Sequence, residues 1–220
     1  MSIFFYARIK IMANFLKQLV SIAAGAKQTI TLYGGGPPPG NERLDVFPVT
    51  ASDQTGQVSV KFKTLRPGSY YDWEITGKHP GKVKLNAKVP STGQIYSAPM
   101  DITVTGKINI IFKSNGEGTI ECVGLGTFPI LGRPGIKYPR DITVTEADKK
   151  GTYHSKKYNV DMPFAILIWG QEGIYIHQFP DNLQENGGPS AGCIHVSRRN
   201  APKVYEYVAA RTAIKIKYPW

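Results

Sequence analysis

Between Arg43 and Thr105, apolar and β-branched residues recur in short stretches: Leu44 to Thr50, Gln57 to Lys63, Tyr70 to Thr76, Lys82 to Val89 and Met100 to Thr105. Successive side chains of a strand point to opposite faces, so such alternating stretches predict half-buried strands. Turn-forming residues separate them, at Asp53, Pro67-Gly68, His79-Pro80-Gly81 and Ser91-Thr92-Gly93. That spacing suits a small antiparallel sandwich. Upstream, Gly34 to Gly40 reads Gly-Gly-Gly-Pro-Pro-Pro-Gly, which supports neither helix nor central strand and predicts a linker.

From Lys107 onward the predicted strands are Ile108 to Phe112, Gly118 to Val123, Pro163 to Trp169, Gly173 to His177 and Ser190 to Val196. Gly124 to Pro129 and the region around Gly132 to Gly135 read as loop, and Gly151-Thr152-Tyr153 as a turn. One helix is predicted near the end: Asn200 is its N-cap, Pro202 lies in the first turn, and Val204, Tyr207 and Val208 sit at helical spacing. Ile214 and Ile216 then alternate with Lys215 and Lys217 in a closing strand. The expected architecture is mostly β. It has an N-terminal extension and linker over 1–40, a β-sandwich-like accessory domain over 41–105, and a β-rich domain with one C-terminal helix over 106–220. The accessory domain is expected to be Ig-like or fibronectin-like. Leu65 to Tyr71 resembles the tyrosine corner of those folds, with Tyr71 simply packing on a strand as the alternative.

Charge and cysteines narrow the chemistry. Twenty-seven basic residues against 16 acidic ones give a formal charge of +11, which favours contact with some polyanion. The basic residues are scattered in pairs such as Lys149-Lys150, Lys156-Lys157 and Arg198-Arg199, with no dense arm to track phosphates, so no nucleic-acid partner is expected. Phe15 to Ala26 is fairly apolar, but Lys17 interrupts it, making a poor signal peptide. No stretch is long enough for a membrane span. Two cysteines, Cys122 and Cys193, exclude a disulfide framework and a four-cysteine zinc site. Cys122 reads as a buried small hydrophobe.

The informative segment is Gly173-Ile174-Tyr175-Ile176-His177, a loop, and then Ser190-Ala191-Gly192-Cys193-Ile194-His195. A thiol becomes a strong nucleophile beside an imidazole that takes its proton. His177 is the expected partner of Cys193, and Gly192 lets amide N–H groups near the thiol face a developing oxyanion. Residues 193 and 195 of a strand share a face, so His195 is a rival base. Cys193, His195 and His177 lack a familiar ligand spacing, so neither metal nor cofactor is expected. His79 and His154 are read as structural.

These residues resemble the YkuD-type L,D-transpeptidases, whose pattern is a His after an apolar strand, a spacer, and Ser/Thr-x-Gly-Cys. The resemblance runs from about Lys107 to Trp220 and takes in Gly151-Thr152-Tyr153, Met162-Pro163-Phe164, Ile176-His177 and Ser190 to Ile194. It implies a YkuD-like catalytic domain in which Cys193 forms a thioester with a peptidoglycan stem peptide. His177 would activate the thiol, and Ser190 and Gly192 would shape the pocket. The acyl group would pass to an amine, as transpeptidase or in D-amino-acid exchange, or to water, as carboxypeptidase. The sequence departs from the family pattern at Ala191, where His is common, and at His195, where Arg or Asn is usual. It also lacks a Pro before Gly151. Carboxylate recognition would then fall to Arg198 or Arg199, with His195 a pocket residue. The alternative is a degenerate domain that binds cell wall without chemistry. The poor export signal, with a resemblance of Gly124 to Pro129 to type VI secretion effectors, implies an antibacterial effector acting in the periplasm. That role brings an immunity protein and secretion machinery as partners.

Overall fold

The computed structural model describes residues 13–34, 43–49, 56–95, 97–179 and 190–219. The linker beyond Gly34, the turn at Asp53 and most of the loop between His177 and Ser190 lie outside them. The described residues divide into two compact units, one within Met1–Val20, Lys27–Thr76 and Lys82–Ile102, the other within Ser21–Ala26, Gly77–Gly81 and Thr103–Trp220.

The first strands are β1 (Asn14–Phe15), β2 (Leu19–Ala23), β3 (Lys27–Tyr33) and β4 (Asp45–Val49), followed by β5 (Val58–Arg66), β6 (Tyr70–Gly77) and β7 (Gly81–Lys88). In the first unit β1, β3, β6 and β5 form a four-stranded sheet in that order, and β4 pairs with β7. The alternation predicted over β6 is realised, with Tyr71, Trp73 and Ile75 buried. Residues 1–40, expected as an extension, contribute three strands. Val20 and Ile22 of β2, and Ile30 and Leu32 of β3, are buried at period two, the first pair within the apolar stretch Phe15 to Ala26. Pro67 to Ser69 join β5 to β6, neighbours in one sheet, with Gly68 and Ser69 at φ +83° and +64°. Positive φ at successive residues fits a hairpin turn. Tyr71 is buried on β6, directly after this turn.

The second unit is built on β8 (Met100–Phe112), β9 (Glu117–Cys122), β10 (Gly126–Leu131), β11 (Asp141–Val144), β12 (Lys149–Ser155) and β13 (Val160–Trp169). It continues with β14 (Ile174–Gln178), β15 (Ile194–Val196), the helix α1 (Ala201–Tyr207) and β16 (Thr212–Lys217). Its sheet runs β11-β16-β8-β9-β10-β15-β14-β13-β12. The pairs β8–β16 and β14–β15 are parallel. The two strands expected around Gly106 run together as β8, where the Thr212 side chain of β16 lies against Gly106 and leaves no room for a Cβ.

Gly126 to Pro129, within the stretch expected as loop, belongs to β10, a strand between β9 and β15. Its Pro129 is tolerated because β15 ends at Val196, opposite Ile130, so no ladder partner there requires the missing N–H. Likewise Thr152 and Tyr153 belong to β12, paired with Pro163 and Met162, and form no turn. One face of the sheet packs Ile108, Ile110, Ile120, Ile176, Ile194 and Ile214 into a core with Val204 and Tyr207 of α1. Asn200 sits at the helix N-cap as predicted, yet its side chain makes no capping bond; its carbonyl accepts from Val204 N–H at 3.1 Å.

Candidate active site

Parallel pairing sets Ile176 beside Ile194, His177 beside His195 and Gln178 beside Val196. Alternation along the two strands then divides their side chains between faces. Ile176, Ile194 and Val196 enter the core, while Tyr175, His177, Cys193 and His195 share the opposite face. Cys193 stands immediately before β15, diagonal to His177, and its Sγ accepts a hydrogen bond from Tyr175 N–H at 3.5 Å. Both cysteines are free thiols. Cys122, sealed in the core, is pushed up to about 12 by burial, whereas Cys193 is half-buried.

The turn that presents Cys193 is held locally. Ser190, 5% exposed, accepts Gly192 N–H on its Oγ at 2.9 Å. Gly192 adopts φ +152°, and a Cβ there would meet only ordinary contacts with Ile174 and Ile136, so the glycine is required by the backbone conformation. The Gly192 N–H, expected to face an oxyanion, is therefore already engaged. On the other side of this turn Arg133 Nη1 donates to Ala191 O at 3.5 Å. The Arg133 N–H donates to Tyr138 Oη at 3.2 Å, and Tyr138 stacks on Phe112 with ring centroids 5.3 Å apart.

Both site histidines are buried. His177 Nδ1 lies 2.6 Å from Gln178 O. A carbonyl only accepts, so Nδ1 carries the proton and Nε2 is left basic. Burial brings His177 down to about 4 against the opposing effect of that hydrogen bond. His195 packs edge-to-face on His177 and on Phe179, with centroids 4.8 Å apart in each case. Burial, and then the charge on His177, takes His195 to about 3. Its Nδ1 is buried with no partner among the described residues. The Cys193 thiol is raised by burial, opposed by the Tyr175 N–H. At neutral pH the resting site thus holds an un-ionised thiol and two neutral imidazoles.

Tyr175 stacks on Tyr153, with centroids 4.7 Å apart. On the same face a cleft of about 720 Å³ is lined by His195, Phe179, Ser197, Leu131, Pro129 and Glu117, among others. Of the site residues only His195 lines this cleft; Cys193, His177 and Arg133 lie outside the lining, as do Arg198 and Arg199 on the exposed turn between β15 and α1. Arg133, Tyr138 and Tyr153 are the neighbours that spacing along the chain did not single out for the site. Arg133 and Tyr138 lie on the loop between β10 and β11 and Tyr153 on β12, far in sequence from the Ala191 and Tyr175 that Arg133 and Tyr153 touch. Among the described residues, no group of three His, Cys, Asp or Glu side chains is arranged to hold a metal ion. His154 pairs with Asp161 at 2.8 Å on the exposed β12–β13 surface.

The L,D-transpeptidase catalytic domain of the YkuD family matches residues 37–216. The chain belongs to this family. The match begins well before Lys107, so this YkuD-family chain carries the family pattern through most of its length. A comparison with curated proteins gives no match. Among solved structures, an L,D-transpeptidase from Mycobacterium smegmatis is similar, at 17% identity and TM-score 0.41, over 90% of this chain and 94% of that one. L,D-transpeptidase 1 of Mycobacterium tuberculosis is similar at 15% identity and TM-score 0.40, over 89% and 93%. An L,D-transpeptidase from Stackebrandtia nassauensis is similar at 17% identity and TM-score 0.39, over 50% and 55%.

Proposed function

We propose that this YkuD-family protein is a cysteine-dependent L,D-transpeptidase and L,D-carboxypeptidase that acts on peptidoglycan tetrapeptide stems through a thioester at Cys193. The observation that carries the reading is the parallel pairing of β14 with β15, which puts a free thiol and a singly protonated imidazole on one face. Because both groups rest neutral, His177 Nε2 takes the thiol proton as Sγ attacks the stem carbonyl. The sulfur–carbon bond forms, the carbonyl–nitrogen bond breaks, and the proton passes from Nε2 to the departing D-alanine amine. An acceptor amine then takes the acyl group and makes a cross-link, or water takes it and leaves a shortened stem. With the Gly192 N–H engaged by Ser190, the oxyanion falls to the Cys193 N–H.

Mass spectrometry of muropeptides tests this. Peptidoglycan rich in tetrapeptides, incubated with the wild type, gains tripeptides or new cross-links, and Cys193→Ala gives neither. If Cys193→Ala kept the full effect on the wall, the protein would be a binding module.

The reading extends to an antibacterial effector with a cognate immunity protein. Val20 and Ile22, within the apolar stretch Phe15 to Ala26, are buried strand residues of β2. Gly124 to Pro129 gives less support, because the β9–β10 turn already explains its glycines: Gly124 has φ +87° and lies against the Lys78 backbone.

A further inference from the structure

Resting on the reading of Cys193 as nucleophile toward tetrapeptide stems, we infer that Arg133 is the residue that recognises the terminal carboxylate of the donor stem. A stem whose leaving group is D-alanine carries a carboxylate a few bonds from the attacked carbon, so its partner must stand beside the nucleophile's turn. His195 occupies the position two after Cys193 and is buried among His177 and Phe179 with no cationic charge to offer. Arg198 and Arg199 project from the exposed turn past the far end of β15.

Arg133 is differently placed. Its Nη1 donates to Ala191 O, two residues before Cys193, and its backbone N–H is pinned to the Oη of buried Tyr138. The guanidinium has five donors in a planar fork, one of them used on Ala191 O. It is exposed and makes no ion pair with any carboxylate among the described residues. Such a fork matches a carboxylate in two-point contact.

The test uses the full chain with two donors, a disaccharide tetrapeptide ending in a free carboxylate and the same compound ending in a carboxamide. Release of D-alanine or D-alaninamide is followed by mass spectrometry. In Arg133→Ala, KM for the acid should rise roughly 10- to 100-fold, the loss expected for a charge-assisted contact. Turnover of the amide should match the wild type, which also reports that the variant is folded. Arg133→Lys should recover part of the acid preference. The double variant Arg198→Ala, Arg199→Ala should keep that preference in full. Equal losses on both donors in Arg133→Ala would make Arg133 a brace for the turn and overturn the inference, as would loss of acid preference in the Arg198/Arg199 variant. A wild type inert on both donors would remove the underlying reading and this inference with it.

Discussion

At the residue scale the active face is notable for what burial does to its charges. His177 and His195 are held near 4 and 3, below the ordinary histidine value of about 6.5. The unfolded chain therefore binds more protons than the folded one between those limits, and stability rises with pH there. Stability from these two neutral imidazoles is fully present above pH about 6.5 and is lost as pH falls toward 4. Each contributes a slope of up to roughly 1.4 kcal/mol per pH unit. Thermal melts from pH 7.5 to 4 should show the decline, and His195→Gln should make it shallower; an unchanged slope in that variant would refute the burial of His195. Cys193 and His177 stood out in the sequence because a thiol after a glycine and an imidazole ending an apolar strand are distinctive chemistry. Arg133 did not, since an arginine in a Gly-Pro loop looks like any surface cation until Ala191 is seen beside it.

At the scale of elements, the site depends on strands that cannot slip. A shift of one residue between β14 and β15 would send His177 or Cys193 to the opposite face. The neighbouring β8–β16 pair is locked by Gly106, whose missing Cβ makes way for the Thr212 side chain. Gly106→Ala should cost about 1–3 kcal/mol through overpacking, measured by urea denaturation. The same change in a Thr212→Ala background should cost less, because two of the crowding atoms are gone; strictly additive losses would argue that the contact is unimportant. Strands with clean alternation, such as β6 and β7, were legible from their spacing. β10 was not, because Gly126 and Pro129 are turn-formers by local preference and become strand residues only through pairing with β9 and β15. β11, with the four residues Asp-Ile-Thr-Val, is too short to carry a periodic signal.

At the scale of the whole molecule, the formal charge of +11 favours an anionic surrounding such as cell wall, and the family match makes the wall a coherent setting for the chemistry. If the protein is an antibacterial effector, its target is reachable only outside the cytoplasmic membrane. Expression directed to the periplasm of a susceptible bacterium should lyse or round the cells, as followed by microscopy and viable counts. The same chain held in the cytoplasm, or periplasmic Cys193→Ala, should be harmless, and equal toxicity in both compartments would end the effector reading. The linear chain determined by itself the β class, most strands, the one α-helix among the described residues and the candidacy of Cys193 and His177, because periodicity and residue chemistry are local properties. Tertiary structure decided the rest: that the stretches Asn14–Phe15, Leu19–Ala23 and Lys27–Tyr33 are strands of the fold, that Gly192 N–H is engaged by Ser190, that both imidazoles rest neutral, and that Arg133 reaches the turn before Cys193. Burial, hydrogen-bond partnership and proximity belong to pairs of groups, and which pairs meet is settled only when distant strands come together in one sheet.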